Sequence, residues 1–348
     1  MATNNRIQEL IDAEIERHDA VDLESENPCP VVWQRRPANN KRRRYFGGSQ
    51  LGGNCRRQRW YGFHWVAFEK FEPRILRLFN RGHREEERFV SYLRMIGVHV
   101  EEYDPDTIPI VWHNPLTDDY SWSLPGNGQA VAPWINVSGT YHEWIACSRG
   151  LELPEPRQFS FEDLNGHHKG NCDGRARYVP DQDQWGVELD EWILLEFKTH
   201  NEKSFNAVAA SNVFQGKLDH WKQMQRYMEK IGFNLGLYGA VCKNTDRMYW
   251  EFIPFEPAWA IEAEAITREA IFSDKIPIRL SNSPSYYECK WCNFRPQCHF
   301  NAPMLKNCRT CISSFPATNG DWACNLAQRK IPHDVEQVGC EFYQARTD

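Results

Sequence analysis

The longest regular apolar pattern in the chain runs from Pro73 to Ile96, where Ile75, Phe79, Gly82, Glu86, Phe89, Leu93 and Ile96 recur at steps of four and three. That spacing is one face of a helix, and Glu72-Pro73 marks its start. A shorter amphipathic pattern predicts a helix over 5–18. Ser49 is placed to cap another through CRRQRWYGFHW. Alternating apolar positions and β-branched or aromatic residues predict strands at 98–103, 108–113, 171–179, 191–199, 234–242 and 247–255. Helical patterns return at 202–213, 217–231 and 257–272. The stretch 20–45, rich in Asn, Pro and Arg, reads as an irregular connector, so the folded core begins near Phe46. This order of elements is mixed α/β.

Two places break the apolar pattern in a chemically useful way. Glu86 falls on the helix stripe expected to be buried, and a lone buried carboxylate costs several kcal/mol unless it is paired or binds a metal. His83 lies one turn earlier and either joins it or is an ordinary hydrogen-bonded histidine. In EWILLEFKT, strand alternation puts Leu195 and Phe197 on one face and Glu196 and Lys198 on the other. Alone, that pair equally describes a surface ion pair of little energetic weight. Asp173, in CDGRARYV, gives it company, because a hairpin-like connection through DQDQWG sets it beside Glu196. Two converging carboxylates suit a hard cation such as Mg or Mn. On the helix over 217–231, Leu218, Trp221, Met224, Met228 and Ile231 form the core side, with Gln223 and Tyr227 four apart on a neighbouring face.

Composition narrows the classes. The 348 residues suffice for one large domain with small attachments, and 41% hydrophobic residues fit a globular chain. No apolar run approaches the ~20 residues of a membrane span, and the polar N-terminus lacks an export signal, so the expected setting is the reducing cytoplasm with no membrane partner. A net charge of -6 argues against indiscriminate coating of nucleic acid. Basic residues nevertheless cluster at 35–45 and in CRRQR, where Arg56, Arg57 and Arg59 are candidate DNA contacts; the alternative is a solvated face. In a reducing compartment the twelve cysteines read as metal ligands or core thiols rather than disulfides.

The succession GHREE (82–86), GHHKGNCDG (166–174), LLEFKT (194–199) and QMQRY (223–227) resembles the RecB-like branch of the PD-(D/E)XK nucleases, over roughly residues 46–300. The resemblance implies a restriction-endonuclease-like core, a central mixed sheet flanked by helices. It implies Asp173 and Glu196 as Mg or Mn ligands, Lys198 positioning the attacking water, Glu86 or His83 completing the ligand set, and Gln223 and Tyr227 supporting the site. Two departures stand out. Cys172 precedes Asp173 where the family often has Pro, and the helix reads GH-x-x-E rather than the frequent G-x-x-x-H, which leaves the helix ligand open between His83 and Glu86.

Seven cysteines lie between 289 and 340. Cys289, Cys292 and Cys298 form C-x2-C-x5-C, which needs a fourth ligand and is compatible with zinc or iron-sulfur. Cys55, in SQLGGNCRRQRWY, resembles the early cysteine of iron-sulfur RecB-type nucleases, such as the CRISPR adaptation nucleases and the AddB subunit, where a [4Fe-4S] cluster staples the two ends of the domain. A zinc site using His299 in place of Cys55 is the rival. Cys308, Cys311, Cys324 and Cys340 have ordinary zinc-ligand chemistry, and the ~45-residue tail carrying them has little core of its own without a metal. Cys29, Cys147, Cys172 and Cys242 read as plain thiols. The expectation is three segments: a helix and basic connector (1–45), a nuclease domain closed by the cluster (46–300) and a zinc module (301–348). The expected activity is metal-dependent cleavage of DNA, more as an exonuclease at single-stranded or duplex ends than as a structure-specific endonuclease, with a recombination or single-strand-binding protein as partner and a phage or mobile element as a fitting source. The competing readings are a DNA-binding or assembly protein on a nuclease fold, and a metal scaffold whose Glu196-Lys198 pair is incidental.

Overall fold

The computed structural model describes residues 5–18, 42–68, 71, 73–126, 134–138, 145, 146, 148–154 and 156–347. Most of the expected connector (20–41), the basic positions before Arg42, Cys29 and Cys147 lie outside the described residues. The architecture is mixed α/β. In chain order the strands are β1 (Phe46–Gly47), β2 (His99–Glu101), β3 (Ile110–Asn114), β4 (Asp119–Ser123), β5 (Ile135–Asn136), β6 (Ser160–Asp163), β7 (His168–Asn171), β8 (Gly174–Arg177), β9 (Ile193–His200), β10 (Leu235–Cys242), β11 (Met248–Pro254), β12 (Ser314–Pro316), β13 (Trp322–Cys324) and β14 (Arg329–Lys330). The central sheet has the order β11-β10-β9-β8-β2. Only β9 and β10 are parallel in it.

That arrangement follows from the apolar content of ILLEFKTH and LGLYGAVC, which must be covered on both faces. Ile193, Leu195 and Phe197 pack with Ile7 and Ile11 of the helix Asn5–His18 and with Phe89 and Leu93 of the helix Pro73–Met95. Leu194 and Tyr238 face the opposite layer, with Phe205 of the helix Glu202–Ala209 and Met224 and Met228 of the helix Leu218–Ile231. A parallel neighbour requires a crossover, and these last two helices supply it.

Several expected elements are built differently. The strand over 108–113 exists as β3, but it pairs with β4 and β5 in a separate sheet around Val111, Val137 and Ala146. The stretch 171–179 is broken, since β7 pairs with β1 and β6 while β8 joins the central sheet. Cys55, not Ser49, caps the helix Arg56–Phe63, because residues 48–52 form a 3-10 turn. The 202–213 helix stops at Ala209, and Asn212 caps a short turn at Val213–Gly216. On the helix Pro73–Met95 only Phe89, Val90 and Leu93 are buried, and Phe79 is 43% exposed, because the first half of the helix overhangs a cleft.

The C-terminal segment docks on the body through Cys308, Trp322 and Ile331, which share a core with Phe46, Phe63, Trp259 and Ile271. At its centre Arg309 is fully buried. Its guanidinium donates to Glu336 Oε1 at 2.6 Å, to the Phe63 carbonyl at 2.9 Å and to the Arg44 carbonyl at 2.9 Å, and lies 3.7 Å from the Trp65 ring centre. Burial pulls Arg309 down to about 10, opposed by Glu336. Arg309→Ala leaves Glu336, itself 1% exposed, without its cation. We expect it to lose about 3–5 kcal/mol in urea unfolding under reducing conditions, and the double change R309L/E336L to recover most of that loss.

Candidate active site

The break between β7 and β8 places Asp173 at a corner rather than within a strand. Gly174 makes the corner possible, since a Cβ there would stand 2.8 Å from the Glu101 carbonyl oxygen. Asp173 Oδ2 accepts the backbone N–H of Phe197 at 2.8 Å, which ties the corner to β9. The antiparallel register, Gly174 opposite Leu195, brings Asp173 alongside Glu196, as the hairpin-like connection through DQDQWG leads one to expect.

Glu196 is 1% exposed. Its Oε1 accepts from Gln223 Nε2 at 2.8 Å and from the Lys198 ammonium. Its Oε2 is buried and accepts no hydrogen bond among the described residues. Burial raises the Glu196 carboxyl to about 7; Lys198 pulls the other way, and the Asp173 charge adds to the rise. Burial also works against the Lys198 ammonium, but the carboxylates of Glu196 and Asp173 outweigh it and hold the proton more tightly than usual. Tyr227 is 4% exposed and clamped by glycines: a Cβ on Gly48 would come 2.4 Å, and one on Gly170 2.5 Å, from its Cε1. Burial and the charges of Glu196 and Asp173 push its phenol well above the ordinary tyrosine range.

Glu86 and His83 line an open cleft of about 710 Å³ together with Lys198. Phe89 stacks on Phe197 with ring centres 4.8 Å apart, so the helix that carries Glu86 is fixed against the strand that carries Glu196. Glu86 thus stands at the cleft wall, not in the core stripe its spacing suggested. A buried carboxylate oxygen without a partner beside a second carboxylate fits a divalent cation, and Asp173 and Glu196 are the residues that would hold it.

Further donors line the cleft: Arg43, from the basic cluster at 35–45, and His200, Lys217, His220 and Lys243, which the sequence did not single out. His200 had a signal, because it continues the Glu196, Lys198 alternation; the others come from separate elements. The histidines of GHHK are structural. His168 Nδ1 meets the Phe46 carbonyl at 2.8 Å and its Nε2 accepts from Arg226 at 3.0 Å, while His167 Nε2 meets the Ala317 carbonyl at 2.8 Å. Burial lowers His168 to about 4.

The arginines expected at a DNA surface are turned to internal use. Arg57 and Arg59 are buried, donating to the Pro277 and Gly53 carbonyls, and Arg56 pairs with Glu269. Arg57, with Trp60 donating to the Ser273 carbonyl, ties the helix Arg56–Phe63 to the segment after Phe272, and Arg56 ties it to the helix before that segment. That closure brings Cys55, Cys289, Cys292, Cys298 and His299 around one pocket. His299 Nε2 has no hydrogen-bond partner among the described residues, so both donor sets considered for this site are present. Burial raises the thiol of Cys292, and Cys55, Cys298 and Cys289 add to it. In the tail, Cys308 is pushed up to about 12 by burial and by the charges of Cys340, Cys311 and Cys324. Among the described residues no group of three or more His, Cys, Asp or Glu is already drawn into metal-holding geometry, and no disulfide links the described cysteines. The fit of these sets rests on thiolate chemistry: mutually repelling thiols in a confined space are relieved by a cation.

No family model matches the sequence. No curated protein matches it either. Among solved structures the chain is similar to an alkaline exonuclease, LHK-Exo, from Laribacter hongkongensis, with a TM-score of 0.37, 13% identity, and 66% of this chain and 87% of that chain covered. The same exonuclease in complex with dAMP gives a TM-score of 0.35 at 12% identity, covering 66% and 87%. The structure of SSO0001 gives 0.32 at 13% identity, covering 84% and 94%.

If Glu196 Oε2 and Asp173 receive a cation, millimolar Mn2+ will raise the melting temperature by a few degrees, as expected for a ligand present well above its dissociation constant. Glu196→Ala and Asp173→Ala will each abolish the shift in differential scanning fluorimetry, while Glu162→Ala, on the exposed β6 pair with Lys169, will leave it intact.

Proposed function

We propose that this chain is a Mg- or Mn-dependent DNA nuclease, acting as an exonuclease on linear ends. The observation that carries the reading is Glu196, a buried carboxylate near Asp173 whose one oxygen is held by Gln223 and Lys198 and whose other has no hydrogen-bond partner among the described residues. A divalent cation held by Asp173 and Glu196, with Glu86 or His83 completing the set, would supply the positive charge that polarises a phosphodiester. Lys198 is placed to orient a water and to offset charge developing on phosphate oxygen. Water attack in line forms one P–O bond and breaks the bond to the leaving sugar oxygen. Gln223 keeps the Glu196 carboxylate from rotating, and Tyr227 closes the floor beneath both acids. The basic cleft wall gives the strand its electrostatic path.

The two cysteine sets complete the proposal as structural centres. Cys55 with Cys289, Cys292 and Cys298 would hold a [4Fe-4S] cluster, the rival being zinc with His299 in place of Cys55. Cys308, Cys311, Cys324 and Cys340 would hold zinc. A recombination or single-strand-binding protein is the proposed partner.

The test is cleavage of end-labelled linear duplex and single-stranded DNA by anaerobically purified protein. Mg- or Mn-dependent release of nucleotides from ends, with circular DNA spared, supports the reading. Lys198→Ala should reduce the rate by about 10²–10³-fold with the fold retained. Failure of the parent to cut any DNA, with DNA still bound, would leave a binding protein on a nuclease fold; cutting of closed circles would make it an endonuclease. Absorbance at about 400 nm that is lost in Cys55→Ser supports the cluster, whereas colourless protein with two equivalents of zinc moves the first set to zinc.

A further inference from the structure

Beside the candidate acids lies a continuous hydrogen-bonded chain that the proposed reaction does not use. Ser204 Oγ meets His200 Nδ1 at 3.0 Å, His200 Nε2 meets Tyr238 Oη at 2.8 Å, and Tyr238 Oη meets His220 Nδ1 at 2.9 Å. Four elements contribute: Ser204 lies on the helix Glu202–Ala209, His200 ends β9, Tyr238 sits in mid-β10 opposite Glu196, and His220 lies in the first turn of the helix Leu218–Ile231. Tyr238 is fully buried and His200 is 4% exposed. Both ring nitrogens of His200 are taken, so it can only position others. His220 is different. Among the described residues its Nε2 meets no hydrogen-bond partner, the Asp219 carboxylate oxygen lying 3.8 Å away, and its ring lines the cleft beside Lys198 and Lys217.

A hydroxyl has one proton, so the chain has two polarities. If Ser204 donates to His200, then His200 donates to Tyr238, Tyr238 donates to His220 Nδ1, and the proton of His220 resides on Nε2, aimed at the cleft. The reverse order leaves a lone pair there. The Asp219 carboxylate favours the first order, and so does any anion entering the cleft. Both histidines stay neutral in either order, with burial holding them far below the usual histidine range.

We propose that His220 Nε2–H is a contact for a phosphate oxygen of the nucleic-acid strand, oriented by Tyr238 and His200 as positioning residues. A neutral donor here binds the backbone without adding a third cation to Lys198 and Lys217. The proposal rests on the reading that the cleft takes a nucleic-acid strand.

The test measures fluorescence anisotropy of a fluorescein-labelled single-stranded oligonucleotide with the full chain, with Ca2+ replacing Mg2+ to prevent cutting. His220→Ala should weaken binding about tenfold, the loss of one hydrogen bond to a charged group. His220→Gln, whose amide N–H reaches a similar point, should retain affinity within about threefold of the parent. Tyr238→Phe, which lies outside the cleft wall, should weaken binding as well. In cleavage assays His220→Ala should raise KM with kcat little changed. The inference is overturned if His220→Ala, folded by its melting temperature, binds as the parent does, or if His220→Gln is as weak as His220→Ala. It is overturned too if Tyr238→Phe changes nothing. A parent that binds no DNA overturns the cleft reading itself, a result distinct from intact binding in all three variants.

Discussion

An ionisable carboxylate in the middle of a sheet covered on both faces is the constraint around which this molecule is arranged. Glu196 sits between Leu195 and Phe197, whose side chains enter one hydrophobic layer, while its own side chain enters the other. The carboxylate is 1% exposed, and the donors that reach it among the described residues are Lys198 from the same strand and Gln223 from the helix above. Both donate to the same oxygen. The second oxygen is buried beside Asp173 with no hydrogen-bond partner among the described residues, a polar group the fold leaves unsatisfied.

Holding that carboxylate in place requires close packing on the floor beneath it. Tyr227 fits only because Gly48 and Gly170 carry no Cβ, so the 3-10 turn at 48–52 and β7 both press against its ring. The same early segment is held from the far end of the chain. Arg309 donates to the carbonyls of Arg44 and Phe63, and the pocket lined by Cys55, Cys289, Cys292 and Cys298 joins the helix Arg56–Phe63 to the cysteine segment. Distant parts of the sequence thus stabilise the site through the segment 42–68.

The buried cations and histidines follow a common logic. Arg226, fully buried, is satisfied by His168, Glu229 and Glu264, and Arg309 by Glu336 and two carbonyls. Each resolves the cost of burying charge by filling its donors. The cleft wall differs, since Lys198, Lys217, His220 and Lys243 line a cavity there rather than the packed interior.

The strands β9 and β10, the long helices and the shared face of Glu196 and Lys198 were legible in the sequence, because strand alternation and helical spacing are local and fix which side chains share a face; Asp173 beside them came from the expected hairpin-like connection, and Gln223 from the resemblance. The helix 257–272 was read to the residue, and β9 and β10 within a residue or two. Only the tertiary structure decided the rest. Whether Glu86 was core or cleft depended on how far its helix overhangs the sheet; whether Arg57 faced solvent depended on a carbonyl far along the chain, at Pro277. The division of 171–179 between two sheets turned on a glycine meeting a neighbouring strand, and the His200, Tyr238 and His220 chain on three elements meeting at one point. Periodicity carries the first kind of information, since it repeats along the chain; contact between distant segments has no period and becomes visible only once the chain has closed on itself.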